Sequence, residues 1–328
     1  MVTGHDDLWA GMGWDGWEDH IGVRRRLERG ADPEAWSGGR PLHRAAAFGS
    51  PEVVTELARR VADVDAPENG TTALWEAVLY DRPDNARALA AAGADPWRPV
   101  LAGWSPGRLS LAGPAPDLFA VPDTERGPSG AERGLSAAER TAVREARRLA
   151  AALDGIHYEG TGLACVAGID AEEAVRRLAA APAGPEEVAE LLEEPWAYDP
   201  DESLRIVGVT TVPGGCIVTQ PWGYTPAGQD VLTRLSTGTV CYGLYANPKS
   251  GNQGSIVRDG TVEGSDLHPG GGPDLDDTPG DVLTAYLYRH SPVAYACAFA
   301  GLRPADARAV VGNPDLWVEL PRRDPRGH

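Results

Sequence analysis

The stretch Arg40-Pro41-Leu42-His43-Arg44-Ala45-Ala46 returns about one period later as Thr71-Thr72-Ala73-Leu74-Trp75-Glu76-Ala77. Leu42 and Leu74 stand 32 positions apart. A second phrase keeps the same step. Gly30-Ala31-Asp32-Pro33 recurs as Gly93-Ala94-Asp95-Pro96, with a weaker copy at Val61-Ala62-Asp63-Val64 between them. Self-similarity at this period marks a stack of small supersecondary units, each too small to bury its apolar face alone.

The residues within each copy predict two short helices. Pro41 suits the first helical position, where its missing N–H is no loss. Leu42, Ala45 and Ala46 then form an apolar stripe, and the alanines permit close approach of neighbouring units. Phe48-Gly49-Ser50 breaks this helix. Ser50 caps the next one, with Pro51 in its first turn and Val53, Val54, Leu57 and Val61 on its buried face. Asn69-Gly70 is a turn pair. In the next copy Leu74, Ala77 and Val78 pack, Asp81-Arg82-Pro83 turns, Ala86, Leu89 and Ala90 form the outer helix, and Gly93 ends it. Ile21, Val23 and Leu27 read as the outer helix of a degenerate first unit. Leu109 to Pro114, after a turn at Gly103-Trp104-Ser105-Pro106, reads as a terminal cap.

These phrases resemble the ankyrin repeat, whose signature is Thr-Pro-Leu-His-x-Ala at a period of roughly 33 residues. The resemblance covers residues 5 to about 120 and implies an all-α solenoid that binds proteins through a concave face. Departures are visible. Arg40 stands in place of Thr, Ala73 in place of Pro and Trp75 in place of His. Only His43 keeps its half of the Thr–His exchange that rigidifies the family's turn, so His43 is expected to be structural. In such an array Trp75 would open an inner helix facing the groove. Arg40, Arg44, Trp75, Glu76, Tyr80 and Trp104 are the expected partner-binding residues, because aromatic and arginine side chains dominate binding hot spots. Trp14 and Trp17 are expected to pack in the N-terminal cap.

Composition bounds the function classes. The chain has 328 residues and 42% hydrophobic content, and carries a net charge of −18. That charge argues against nucleic acid as a partner, because phosphate neutralisation needs a basic surface. No apolar run approaches the ~20 residues that span a bilayer, and no secretory leader is read at the start. No membrane association and a cytoplasmic setting are therefore expected. Cys165, Cys216, Cys241 and Cys297 follow no metal-ligand spacing, so buried thiols are expected, with no metal and no cofactor. A single lysine, Lys249, against 29 arginines reads as a high-GC bacterial coding bias.

Three segments are expected: the array with its caps over 1–120, a linker and bridging helix over 121–154, and an α+β domain over 155–328. Ser136-Ala137-Ala138-Glu139 is a capping box opening the bridging helix. Beyond it the patterns predict strands at Gly162–Val166, Leu204–Val212, Cys216–Gln220 and Thr239–Tyr245, and a hairpin around Asp259-Gly260. Helices are predicted over Ala171–Leu178, Pro185–Glu194, Asp230–Leu235, Asp281–Arg289 and Pro292–Leu302. The sum is a multidomain chain, an all-α solenoid followed by an α+β domain with a mainly antiparallel sheet. The phrases Leu163-Ala164-Cys165-Val166, Gly168-Ile169-Asp170-Ala171, Gly215-Cys216-Ile217-Val218, Val231 to Ser236 and Arg258-Asp259-Gly260 also resemble a domain of unknown function found in high-GC Gram-positive bacteria. That resemblance covers about 160–290 and implies a fold and a setting, with no activity.

In this domain Trp222, Tyr224 and Asn247 sit in loops after strands and are the candidate ligand-binding residues. No catalytic residue is assigned. Gly270-Gly271-Gly272-Pro273 lacks the strand-then-helix context of a phosphate loop. The expected function is a protein–protein interaction module, in one specific form an acidic immunity or regulatory protein that blocks a basic partner through the concave face. The alternative is a tailoring enzyme acting on a peptide or small-molecule intermediate, with its active site in the C-terminal domain and the array holding the substrate or a partner.

Overall fold

The computed structural model describes residues 8–121, 134–194 and 199–322. Most of the expected linker, 122–133, lies outside the described residues. In chain order the helices are α1 (His20–Glu28), α2 (Pro41–Phe48), α3 (Pro51–Ala58), α4 (Ala73–Leu79), α5 (Pro83–Ala91), α6 (Pro106–Ser110), α7 (Ala137–Ala152), α8 (Ala171–Leu178), α9 (Pro185–Glu193), α10 (Pro200–Ser203), α11 (Gln229–Leu235), α12 (Pro279–Tyr288), α13 (Pro292–Phe299) and α14 (Arg308–Val311). The strands are β1 (Gly162–Ala167), β2 (Ala181–Pro182), β3 (Ile206–Val212), β4 (Gly215–Gln220), β5 (Val240–Asn247), β6 (Gly251–Arg258), β7 (Thr261–Asp266) and β8 (Leu316–Glu319). Among the described residues no helix is long and apolar enough to cross a membrane.

The chain divides into two compact units. The first comprises Met1–Val143 with Gly272–Leu287, and the second Arg144–Gly271 with Tyr288–His328. The segment 272–287, placed with the C-terminal domain in the sequence reading, therefore packs within the first unit.

In the first unit helices stack in two layers. A single 3₁₀ turn at Trp14–Trp17 leads an inner layer that continues through α2, α4 and α6, while α1, α3 and α5 form the outer layer. Each inner helix is preceded by the same two-residue hairpin, closed by the bridges Trp36–Gly39, Glu68–Thr71 and Leu101–Trp104. Asn69-Gly70 and Ala102-Gly103 take positive φ at both turn positions, the geometry that a tight hairpin turn requires. The hairpins tie to one another at fixed steps. Arg40 N donates to Glu68 Oε1 at 2.9 Å, Ala62 N to Glu34 Oε1 at 2.6 Å, and Asp95 N to Asp65 Oδ2 at 3.0 Å. The core between the layers holds Val23, Leu27, Leu42, Val53, Val54, Leu57, Leu74, Trp75 and Leu89, all buried.

The last unit of the stack is truncated. Helix α6 has five residues, and the residues that cover it come from elsewhere in the sequence. Val282, Leu283 and Tyr286 of α12 and Val143 of α7 join the same core. A Cβ at Gly113 would collide with the Tyr286 hydroxyl, so the glycine is the space in which that ring sits.

The second unit contains an eight-stranded sheet in the order β2-β8-β3-β4-β1-β5-β6-β7, with every pair antiparallel. Side-chain alternation sorts its two faces. Ala164, Val166, Cys216, Val218 and Cys241 pack with α8 and α11. On the other face Tyr242 meets Tyr295 and Phe299 of α13, and Thr219 donates to Val310 O of α14 at 3.2 Å. The sequence reading had not assigned β2 or β8. At two and four residues they are too short to display an alternation, and pairing with β3 is what makes β8 a strand.

Candidate functional site

The N-terminal residue of each inner helix shows how local chemistry sets the surface. Thr72 Oγ1 accepts from Trp75 N at 3.2 Å, and Ser105 Oγ accepts from Arg108 N at 3.2 Å. Both are N-caps in extended backbone. Arg40 occupies the equivalent position and its side chain caps nothing. It turns instead to Glu34 in a half-buried ion pair. His43, on the next turn, places Nε2 3.2 Å from Thr71 O, while its buried Nδ1 has no partner. Burial is the main force that lowers the His43 pKa to about 4, partly opposed by the Thr71 carbonyl. His43 is neutral at pH 7 and ties α2 to the Glu68–Thr71 hairpin.

The expected partner-binding residues divide into two sets. Trp75 and Trp104 have no exposed surface. Trp75 fills the core between layers, and Trp104 donates Nε1–H to Pro279 O at 2.8 Å with the Arg108 guanidinium 4.1 Å from its ring centroid. A buried ring presents nothing to a partner, so both leave the binding set. The start of an inner helix predicts a groove residue at Trp75, but at this position the side chain is buried in the stack. Arg40, Arg44, Glu76 and Tyr80 remain at the surface. Arg44 reaches Gly38 O at 3.3 Å. Glu76 accepts from the Thr71 hydroxyl at 2.6 Å, and burial pushes its carboxyl above the usual range. Tyr80 is 38% exposed, and burial followed by the Glu76 charge raises its hydroxyl pKa.

The tertiary structure adds two rings to this surface. Trp14, Phe48 and Tyr80 recur at the repeat period on the inner layer. Trp14 meets Phe48 edge-on at 4.6 Å between centroids, and Phe48 meets Tyr80 at 4.9 Å. Trp14 is 65% exposed, contrary to the expectation that it packs, whereas Trp17 is buried as expected. Phe48 had read only as the end of a helix, because one aromatic before Gly-Ser carries no directional signal.

Part of the inner-layer face is covered by the chain itself. Leu275 lies over Gly70, where any Cβ would strike it, and Gly272 lies by Leu79. Pro279 and Tyr286 then cover the last inner helix through Trp104 and Gly113. A cavity of about 270 Å³ beside Tyr286 is lined by Ala77, Val78, Asp81, Arg82 and Leu118 among others. The described residues leave open the face of the first repeats, which carries the aromatic row beside Arg44 and Glu76.

In the second unit the three candidate ligand residues are not brought together. Trp222 stacks on Trp317 at 5.6 Å and donates Nε1–H to Ser203 O at 2.8 Å. Tyr224 packs edge-on to Tyr245 at 5.8 Å. Asn247 Oδ1 accepts from Lys249 N at 2.9 Å and Ser250 N at 3.3 Å, which shapes the β5–β6 turn. Asn247 borders a concavity of about 360 Å³ with His157, Glu159 and Asn252, a lining that contains neither Trp222 nor Tyr224. Among the described residues no group of three or more His, Cys, Asp or Glu is placed to hold a metal ion. All four cysteines are buried free thiols, with Cys165 Sγ 3.9 Å from Cys297 Sγ. Burial pushes the Cys216 pKa up to about 12, which leaves that thiol protonated and inert.

No curated protein matches the chain. Residues 20–99 match the family model of ankyrin repeats in three copies, and with the layered helices and periodic hairpins this makes the N-terminal region an ankyrin-repeat array.

Proposed function

We propose that the array binds a basic protein partner through the open inner-layer face of its first repeats, and that the chain acts as an acidic immunity or regulatory protein for that partner. The observation that carries this reading is an ankyrin array whose inner layer carries the exposed Tyr80 beside the half-buried Arg44 and Glu76. Preformed repeats lose little conformational entropy on association. The net charge of −18 supports a cationic target, because opposite charge speeds encounter and makes it salt-sensitive. The test is capture on the intact chain from a lysate of the source cells, followed by titration of the purified partner at low and high salt. A basic partner whose affinity falls with salt, and falls at least about tenfold on Tyr80→Ala, is the expected outcome. A partner indifferent to both salt and Tyr80→Ala rejects the reading.

A second reading, ligand binding by the C-terminal unit as in a tailoring enzyme, is favoured by the concavity bordered by His157, Glu159, Asn247 and Asn252. A metabolite extract that raises the melting temperature of the intact chain, with the rise abolished by Asn252→Ala, supports it. No thermal shift rules it out for that extract.

A further inference from the structure

The aromatic row has a chemistry of its own. Three rings, Trp14, Phe48 and Tyr80, run as an edge-to-face ladder across successive repeats. The two end rings are exposed, Trp14 at 65% and Tyr80 at 38%. Repeat arrays bury such side chains between layers, as Trp75 and Trp104 are buried here. A contiguous aromatic row with exposed ends around the half-buried Phe48 marks a binding surface.

The charges beside the row select the partner. Asp15 and Glu18 are exposed next to Trp14, and Glu76 lies close enough to Tyr80 to raise its hydroxyl pKa. The nearby arginines already have partners of their own. Arg40 is paired with Glu34, Arg44 with Gly38 O, and Arg82 Nε donates to Ala47 O at 3.1 Å. The exposed carboxylates of Asp15 and Glu18 and the exposed end rings are thus the groups available to an incoming chain, while Glu76 is half-buried on the Thr71 hydroxyl. Both attract cations, the rings through their quadrupole. The same unit shows the pairing in a buried form, with the Arg108 guanidinium 4.1 Å from the Trp104 centroid.

We infer that the Trp14–Phe48–Tyr80 row is a cation-binding ladder that holds arginine side chains of an extended segment of the partner, stacked on the rings and paired with the carboxylates beside them. The inference rests on the proposed protein-binding reading and adds the recognised chemistry and the residues. Arginine is favoured over lysine because its planar, weakly hydrated guanidinium stacks on an aromatic face.

The test uses the intact chain and three synthetic peptides, (Gly-Arg)₄, (Gly-Lys)₄ and (Gly-citrulline)₄, at physiological salt. Citrulline keeps the shape of arginine and removes its charge. The expected order of affinity is arginine, then lysine, with the citrulline peptide far weaker. The double variant Trp14→Ala/Tyr80→Ala leaves the net charge unchanged and weakens the arginine peptide at least about tenfold. Phe48→Leu, which keeps apolar bulk and removes a ring, weakens it in the same direction, and Tyr80→Phe retains binding. Circular dichroism and melting temperature verify folding, and the Phe48→Leu result stands if the double variant is unstable. Equal affinity of the arginine peptide for wild type and the ring variants overturns the ladder, since binding would then follow net charge alone. The wider reading fails separately: a partner docking elsewhere would keep its affinity for the ring variants while the arginine peptide loses its own.

Discussion

At the scale of single residues, stability turns on the polar side chains of the inner helices and their caps. His43 is a neutral base in the folded chain, with its pKa lowered to about 4 against about 6.5 when unfolded. A base depressed by folding binds fewer protons in the native state. Its contribution is complete above about pH 6.5 and is lost as the pH falls from there through 4, by an amount on the order of 2–3 kcal/mol. Chemical denaturation of wild type and His43→Leu between pH 7 and pH 4 reads this, and the variant should show the shallower decline. Arg40 stands where Thr72 and Ser105 cap the other inner helices. Arg40→Thr should gain about 0.5–1 kcal/mol from the restored cap, net of a half-exposed ion pair to Glu34 that contributes less. Urea unfolding midpoints measure it, and a lower midpoint would show that the ion pair outweighs the cap. Glu76 is the reverse case, an acid whose pKa is raised by burial. Its charged form is disfavoured in the native state, so Glu76→Gln should raise stability at pH 7 and bring no gain once the carboxyl is protonated in wild type.

At the scale of elements, one buried amide makes three of the links between two helices of the array. Asn85 is 2% exposed, and its Nδ2 donates to Ala45 O at 3.2 Å, Ala46 O at 3.0 Å and Gly49 O at 2.9 Å. It closes the C-terminal end of α2 onto α5, satisfying carbonyls that a helix end leaves open. Asn85→Ala should cost about 2–3 kcal/mol because it strands those acceptors away from water. Asn85→Asp should cost more, since it replaces a donor with a charge. Thermal unfolding followed by circular dichroism distinguishes the three chains. Sequence reading missed Asn85 because a lone polar residue in the first turn of an outer helix looks like a solvated position, and only its neighbours in space show otherwise.

At the scale of the molecule, the array is completed from a distance of more than 160 residues in sequence. Val282, Leu283 and Tyr286 are buried in the same core as the repeats. Tyr286→Ala should therefore lower the stability of the N-terminal unit by about 3–5 kcal/mol, the range for deleting a large buried ring. Hydrogen exchange resolved by peptide reads this locally. Peptides from α4 and α6 should lose protection, and unchanged protection there would show that the array stands without α12. For the same reason residues 1–121 by themselves should be less stable than the array within the intact chain.

Much of this architecture was legible in one dimension. Proline at the first helical position, small residues at the stacking positions and a 32-residue step between Leu42 and Leu74 fix two-helix units, because capping and side-chain periodicity act over a few residues. Long strands such as β3 and β5 were legible as short, largely apolar runs bounded by turn residues. The proposed binding surface was only half legible. Arg44, Glu76 and Tyr80 lie at the positions the repeat register gives them, but Trp75 and Trp104 are sealed in the core, and Trp14 and Phe48 join Tyr80 in the aromatic row. Sequence determined the repeat and its period through local interactions. Which aromatic rings face water, and that residues 272–287 complete the array, only the tertiary structure decided, because burial depends on neighbours that no local pattern specifies.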